Sequence, residues 1–159
     1  MREAIGGTML MYIVLFFLFV YIAFMAIVIN YGRVFRVKNA IVSYVEQTEG
    51  IQDANVQNEI VQLAGDMGYK GRICVCYTEG QKGIYYLSIR VFATFQLPLL
   101  PKENYLDLNI SGETSAIRKV KNKKVVEGVN RCDTNGKDKF KYATCLGQGD
   151  ACKNPCSRG

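Results

Sequence analysis

Six cysteines are the residues most capable of chemistry in this chain of 159 residues, which contains no histidine and no tryptophan. Catalysis that needs an imidazole, such as a Ser-His-Asp or Cys-His arrangement, is therefore excluded. We find no glycine-rich phosphate loop and no carboxylate pair in a supporting context, so we expect neither an enzyme nor a cofactor. The chemistry that remains is disulfide formation or metal binding by Cys74, Cys76, Cys132, Cys145, Cys152 and Cys156.

Cys74 and Cys76 lie two positions apart in residues 72–78, whose alternating pattern predicts a strand. Both side chains point to the same face and cannot easily bond to each other, while the alternate apolar residues take the core face. The other four cysteines occupy the last 28 residues, which favours a disulfide framework in an oxidising compartment. Pairing all six requires two bridges from the strand into the tail and one within the tail. The candidates for the bridge within the tail are Cys145, Cys152 and Cys156.

A reduced four-cysteine zinc site in a cytosolic domain is the alternative. The tail spacing, C-x12-C-x6-C-x3-C, lacks the C-x-x-C pairs that are typical of a zinc ribbon, and no histidine can substitute. The spacing therefore favours disulfides.

Residues 9–29 form an uncharged segment of 21 residues near the N-terminus. At about 1.5 Å per residue, a helix of this length is roughly 31 Å long and matches a hydrocarbon core of about 30 Å. A cleaved signal peptide is the alternative, but its apolar region is usually only about 7 to 15 residues long. We expect a retained single-pass anchor, with residues 1–8 cytoplasmic, a transmembrane helix over residues 9–31 and the C-terminal domain outside. Basic residues flank both ends of the span, so this orientation rests on the cysteines.

The helical pattern continues beyond the span, because apolar residues recur at three- and four-residue spacing from Val34 to Val45. One helix is predicted from about residue 8 to about residue 48, ended by Gly50. A shorter helix is predicted over residues 53–68. The apolar stripe on the emergent half of the long helix needs a partner surface.

Alternation with a period of two predicts the clearest strand over residues 84–97, with further strands at residues 72–78 and 105–111. Residues 140–145 are a candidate for another strand. The helix stripe is expected to cover the apolar face of this sheet. The predicted fold is therefore α+β: a long N-terminal helix packed on a small antiparallel sheet within residues 32–117, followed by a disulfide-rich tail, residues 118–159.

The tail also carries all of the excess positive charge. Residues 118–159 contain 11 Lys/Arg and 4 Asp/Glu, against 9 and 10 in residues 1–117. A basic run opens the tail and is a candidate anion-binding patch for phosphate, lipid head groups, nucleic acid or acidic polymers, although such runs are more often solvated connectors. Its members are Arg118, Lys119, Lys121, Lys123 and Lys124.

The order of these elements resembles that of type IV pilin-like proteins. The stretches Ile29-Asn-Tyr-Gly-Arg-Val-Phe-Arg-Val-Lys-Asn-Ala40 and Phe95-Gln-Leu-Pro-Leu-Leu-Pro101 are similar to the TadE-like minor pilins of tight-adherence (Flp/Tad) pilus systems. The resemblance covers roughly residues 2–117. Pilins of this class are normally cut after a glycine and carry Glu at the fifth mature position, but here Tyr12 is the fifth residue after Gly7. The resemblance therefore implies an uncleaved or accessory subunit.

We expect a structural subunit that assembles through its hydrophobic helix into a surface filament or a pilus assembly complex. Its partners would be other copies of itself or related pilin-like subunits, together with the lipid bilayer. One alternative is a single-pass surface protein whose basic disulfide-rich domain binds an anionic partner, and another is an anchored cytosolic factor with reduced cysteines. A tether does not need a stripe that continues about four turns past the lipid, which favours the first interpretation. The candidate assembly residues are Leu10, Ile13, Phe17, Val20, Phe24, Ile27, Val34, Val37 and Ile41.

Overall fold

The computed structural model describes residues 2–95, 106–118, 123–153 and 156–157. The predicted α+β fold is confirmed, with a long N-terminal helix, a second helix and an antiparallel sheet. The elements are helices α1 (Arg2–Gln47) and α2 (Ala54–Asp66), strands β1 (Ile73–Glu79), β2 (Ile84–Phe95), β3 (Leu106–Glu113), β4 (Ile117–Arg118) and β5 (Thr144–Leu146), and 3-10 turns at Gln81–Gly83, Lys123–Val126 and Gly149–Lys153.

Helix α1 runs without interruption from the apolar segment into the folded domain. It ends where the sequence predicts, because Gly50 adopts a φ of 123° that side chains rarely tolerate. The Gly50 backbone N–H donates to the carbonyl of Val45 at 2.9 Å, and the Thr48 hydroxyl donates to the carbonyl of Tyr44 at 3.0 Å. A Cβ at Gly50 would lie 2.5 Å from the Val125 side chain, so the turn also requires glycine for space.

Helix α2 packs on α1 through Ile60 and Ala64, which are buried. Asp53 precedes it with extended backbone, but its side chain makes no capping hydrogen bond. Instead, its backbone carbonyl accepts the N–H of Gln57 at 3.3 Å. Gly68, with a φ of 75°, reverses the chain after the helix and directs it towards β1.

The sheet has the order β3-β2-β1-β5, with β4 paired to the start of β2 and all strand pairs antiparallel. Three of the described strands were predicted, and two short ones were not resolved by the sequence pattern. Strand β4 has two residues, and β5 occupies only 144–146 of the candidate region that began at Phe140. Elements of two or three residues are too short to display a period. Residues 96, 97 and 105 of the predicted strands lie outside the described residues.

An inner core joins α1 to one face of the sheet. Val37, Ile41 and Val45 pack with the odd-numbered face of β2, and each of these side chains is at most 1% exposed. The predicted packing of the helix stripe against this strand is therefore confirmed. The partners on β2 are Leu87, Ile89 and Val91.

An outer core covers the opposite face of the sheet, where the tail closes over β1 and β2. Cys74, Cys76 and Phe92 of the sheet pack there with Cys132, Phe140 and Cys156 of the tail. The even-numbered face of β2, which the sequence indicated to be polar and outward, is therefore also buried at Ser88 and Arg90. The tail further contributes Val125, Val129 and Leu146 to the inner core, so it belongs to the same folded unit as the sheet.

Candidate functional site

The first half of α1 presents an apolar surface that the domain does not cover. Between Met9 and Ile29 the large apolar side chains are 39–75% exposed, apart from a half-buried Ile27. By length and composition, this helix could cross a membrane or serve as a signal sequence near the N-terminus. The exposed half of α1, residues 9–29, is the most extensive apolar surface in the described part of the chain.

The structure divides the predicted assembly residues into two groups. Ile27 is half-buried against the inner core, and Val34, Val37 and Ile41 are buried within the subunit, which corrects their assignment as assembly contacts. Their burial follows from the amphipathic stripe, which needs the subunit's own sheet to leave water. The residues that do point outward are Leu10, Ile13, Phe17, Val20 and Phe24, which are 49–65% exposed.

All six cysteines are paired, and the pairs follow the pattern expected from the sequence. Cys74 bonds to Cys156 and Cys76 to Cys132, which attaches β1 to the tail at two points. The third bridge lies within the tail, between Cys145 and Cys152. The two β1 bridges span 82 and 56 residues of sequence, whereas the tail bridge spans 7.

Two of these bridges lie side by side. Cys74 is opposite Cys145 in the register of β1 and β5, and the sulfur atoms of Cys74, Cys145 and Cys156 lie within 4.8 Å of one another. Three cysteines at this distance have the spacing of a metal site. In this structure each of them is held in a disulfide, so none offers a thiolate ligand.

A buried cation lies beneath the tail and was missed by the sequence analysis. The Arg90 guanidinium bonds to the Asp138 carboxylate at 3.1 Å, donates to the backbone carbonyl of Cys156 at 3.3 Å and lies 3.9 Å from the centre of the Phe140 ring. A buried charge is tolerated only when it is paired in this way. Arg90 therefore helps to dock the tail on the sheet, and no local sequence signal connects it to Asp138, 48 residues later.

Two further side-chain pairs join separate elements of the domain. The Tyr44 hydroxyl of α1 donates to Glu59 of α2, and this hydrogen bond raises the pKa of Tyr44 above its ordinary value. The Lys139 ammonium of the tail pairs with Glu113 of β3, and its hydrogen bond lowers the pKa of that carboxyl. Both pairs are exposed to solvent, so each contributes only weakly to stability.

The predicted anion-binding run is described only in part. Arg118 belongs to β4, and Lys123 and Lys124 open a 3-10 turn, while Lys119 and Lys121 lie outside the described residues. Its anion binding stays a prediction.

A cavity of about 300 Å³ lies between α1 and the turn that follows α2. Asn30 and Arg33 line it from α1, and Met67 and Lys70 line it from the turn. Sequence reasoning did not find it, because Arg33 and Lys70 are far apart in the chain and only the tertiary packing of α1 brings them to one opening. Arg33 had been noted only as a charge beside the span.

Comparison of the chain with protein-family models, with curated protein sequences and with solved structures finds no match in any of the three.

Proposed function

We propose that this protein is a pilin-like structural subunit, anchored in a membrane by the exposed half of α1 and assembled with other subunits through that helix. The observation that carries the proposal is the continuity of α1, which is exposed and apolar over residues 9–29 and buried against the sheet from Val34 to Val45. One rigid element thus belongs both to the folded domain and to the surface available for assembly.

The junction between the two halves of α1 contains no flexible linker. Ile29 is 59% exposed and Val34 is 6% exposed, and the four residues between them are helical. A tether that only holds a domain near a membrane gains nothing from such rigidity. A subunit whose domains must stack in register does gain, because a rigid helix fixes the domain relative to the packed helices.

The construction of the domain supports the same function. Three disulfides and two cores enclose the sheet, and the tail is bonded to β1 at two points. Disulfides restrict the unfolded chain and persist in oxidising compartments. Such a domain suits an extracytoplasmic structural role, with the polypeptide outside from about residue 31.

The sequence resemblance to TadE-like minor pilins agrees with this layout. With Tyr12 rather than Glu at the fifth position after Gly7, we propose an uncleaved or accessory subunit. It would act in a surface filament or in a membrane-bound pilus assembly complex.

Capture from solubilised membranes tests the proposal. Two full-length copies with different tags are expressed together, one is captured in a mild detergent, and the isolated proteins are identified by mass spectrometry. We expect the second copy, or other subunits with an apolar N-terminal helix, to be captured with the first. Electron microscopy of sheared surface material then distinguishes a filament from a membrane complex.

A replaced span supplies the matched control. In this variant residues 9–26 are exchanged for an unrelated apolar helix of the same length, which keeps the anchor and removes the native side chains. We expect capture of the second subunit to be lost. If the native protein is isolated as a single copy without related subunits, or if the replaced span assembles equally well, the assembly proposal is wrong.

A further inference from the structure

We propose that the cavity between α1 and the turn after α2 is a binding site for the head group of an anionic phospholipid. This site rests on the membrane anchor of the proposed function, but it does not require that the subunits assemble.

The depth of the cavity in the membrane follows from the continuity of α1. Asn30 and Arg33 follow Ile29 by one and four residues, which places them about 1.5 to 6 Å beyond the end of the apolar segment along the helix axis. The head-group layer is roughly 5 to 7 Å thick on each side of the hydrocarbon core. The opening of the cavity therefore lies in the layer that contains the lipid phosphates.

The charges at the opening match a phosphate. Among the described residues that line the cavity, the two charged ones, Arg33 and Lys70, are both basic and both exposed. They come from different elements, so a phosphate between them would bridge α1 and the turn. Arginine and lysine are the usual partners of lipid phosphates at a membrane surface.

The inner wall of the cavity is apolar, which favours a lipid over a free anion. Val34 and Val37 of α1, Met67 of the turn and Phe92 of β2 line it. Met67 is 44% exposed although it lies beside the end of the apolar segment. A cation pair above an apolar wall suits a phosphate joined to a glycerol and the first carbons of an acyl chain. A volume of about 300 Å³ accommodates such a head group, not a whole lipid.

The turn that forms one wall is held in place by the sheet. The Tyr69 hydroxyl lies 2.8 Å from the carbonyl of Arg72 and 2.6 Å from the carbonyl of Phe92, and it accepts the N–H of Phe92 at 3.2 Å. The Arg72 guanidinium stacks over the Phe92 ring at 3.9 Å. These contacts fix the turn and keep the opening formed without a ligand.

Lipid retention by the full chain tests the site. The protein is reconstituted in phosphatidylcholine membranes that contain phosphatidylglycerol, extracted in a mild detergent, and its bound lipids are measured by native mass spectrometry. We expect preferential retention of phosphatidylglycerol and a loss of about fivefold for Arg33→Gln and for Lys70→Gln, since each basic residue near an anionic surface contributes about that factor.

Lys82→Gln is the matched control, because it makes the same change of charge on an exposed residue in the β1–β2 turn. The cavity lies beside the start of β1, so Lys82 is separated from it by the whole length of that strand. We expect Lys82→Gln to retain phosphatidylglycerol as the native protein does. All three variants should keep the native thermal transition, since the altered side chains are exposed.

Three results would overturn the site: equal retention by Lys70→Gln and Lys82→Gln, equal retention of phosphatidylcholine and phosphatidylglycerol, or displacement of the lipid by millimolar inorganic phosphate. The last result would identify a free-anion site instead. Alkaline carbonate extraction of the membranes separates this failure from that of the proposed function. A protein released by carbonate lacks the anchor, whereas a retained protein without lipid preference lacks only the site.

Discussion

Truncation of Ile41 to alanine should destabilise the domain strongly, because this side chain joins α1 to the sheet. Ile41 is fully buried in the inner core. Removing three carbon atoms costs about 0.8 kcal/mol each in transfer free energy, and the cavity left behind adds to this. We therefore expect a loss of about 2 to 5 kcal/mol in the free energy of unfolding. At roughly 4 °C per kcal/mol for a domain of this size, Tm should fall by about 8 to 20 °C.

Arg36→Ala is the control on the same helix, since Arg36 is exposed and its truncation should change the stability by less than about 0.5 kcal/mol. Unfolding of the oxidised full chain in detergent is best followed by the near-ultraviolet circular dichroism of its 10 tyrosines, because the detergent-bound half of α1 stays helical. Equal Tm values for the two variants would refute the packing of α1 on the sheet. Ile41→Asp, which also buries a charge, should prevent folding of the domain.

Three other predictions concern the tail and its surroundings. Replacing both Cys145 and Cys152 by alanine should cost about 2 kcal/mol, and removing either β1 bridge about 4 kcal/mol, because the tail bridge spans 7 residues and the others 82 and 56; equal losses in chemical denaturation would contradict this. The Glu113–Lys139 pair lowers the pKa of Glu113, so its small stabilisation is present above the unfolded pKa and is lost as the pH falls through the lower folded value. Glu113→Gln should therefore reduce the difference between Tm at pH 7 and at pH 3, and an unchanged difference would count against the pair. In intact cells, Lys137 should react with an impermeant amine reagent, and its protection without a covering layer would place the domain inside.

The sequence predicted the packing of the domain where side-chain period alone decides the face. Two-residue spacing assigned Cys74 and Cys76 to the face opposite Ile73 and Val75, and the structure has this arrangement. The same reasoning explains the disulfide pattern, since two cysteines on one face of a strand must bond to partners elsewhere. The stripe from Val34 to Val45 likewise required a sheet to cover it.

Features that depend on contacts distant in sequence could not be predicted. Arg90 occupies a position that alternation marks as outward, and only the tail that closes over it makes it a buried ion pair. The cavity depends on the approach of Lys70 to Arg33 after α2 has packed on α1. Strand β5 forms because its partner β1 is already in the sheet, not because three residues prefer to be extended.

Site-specific photo-crosslinking on the exposed half of α1 tests assembly through this helix most directly. A photoreactive phenylalanine analogue is placed at Phe17, which is 64% exposed, and in a control protein at Tyr142, which is 59% exposed on the tail. We expect irradiation of intact membranes to link the Phe17 position to a second copy or to another subunit with an apolar N-terminal helix, at a higher yield than the Tyr142 position. Adducts with lipid alone at Phe17, with the protein still a single copy, would contradict assembly through α1.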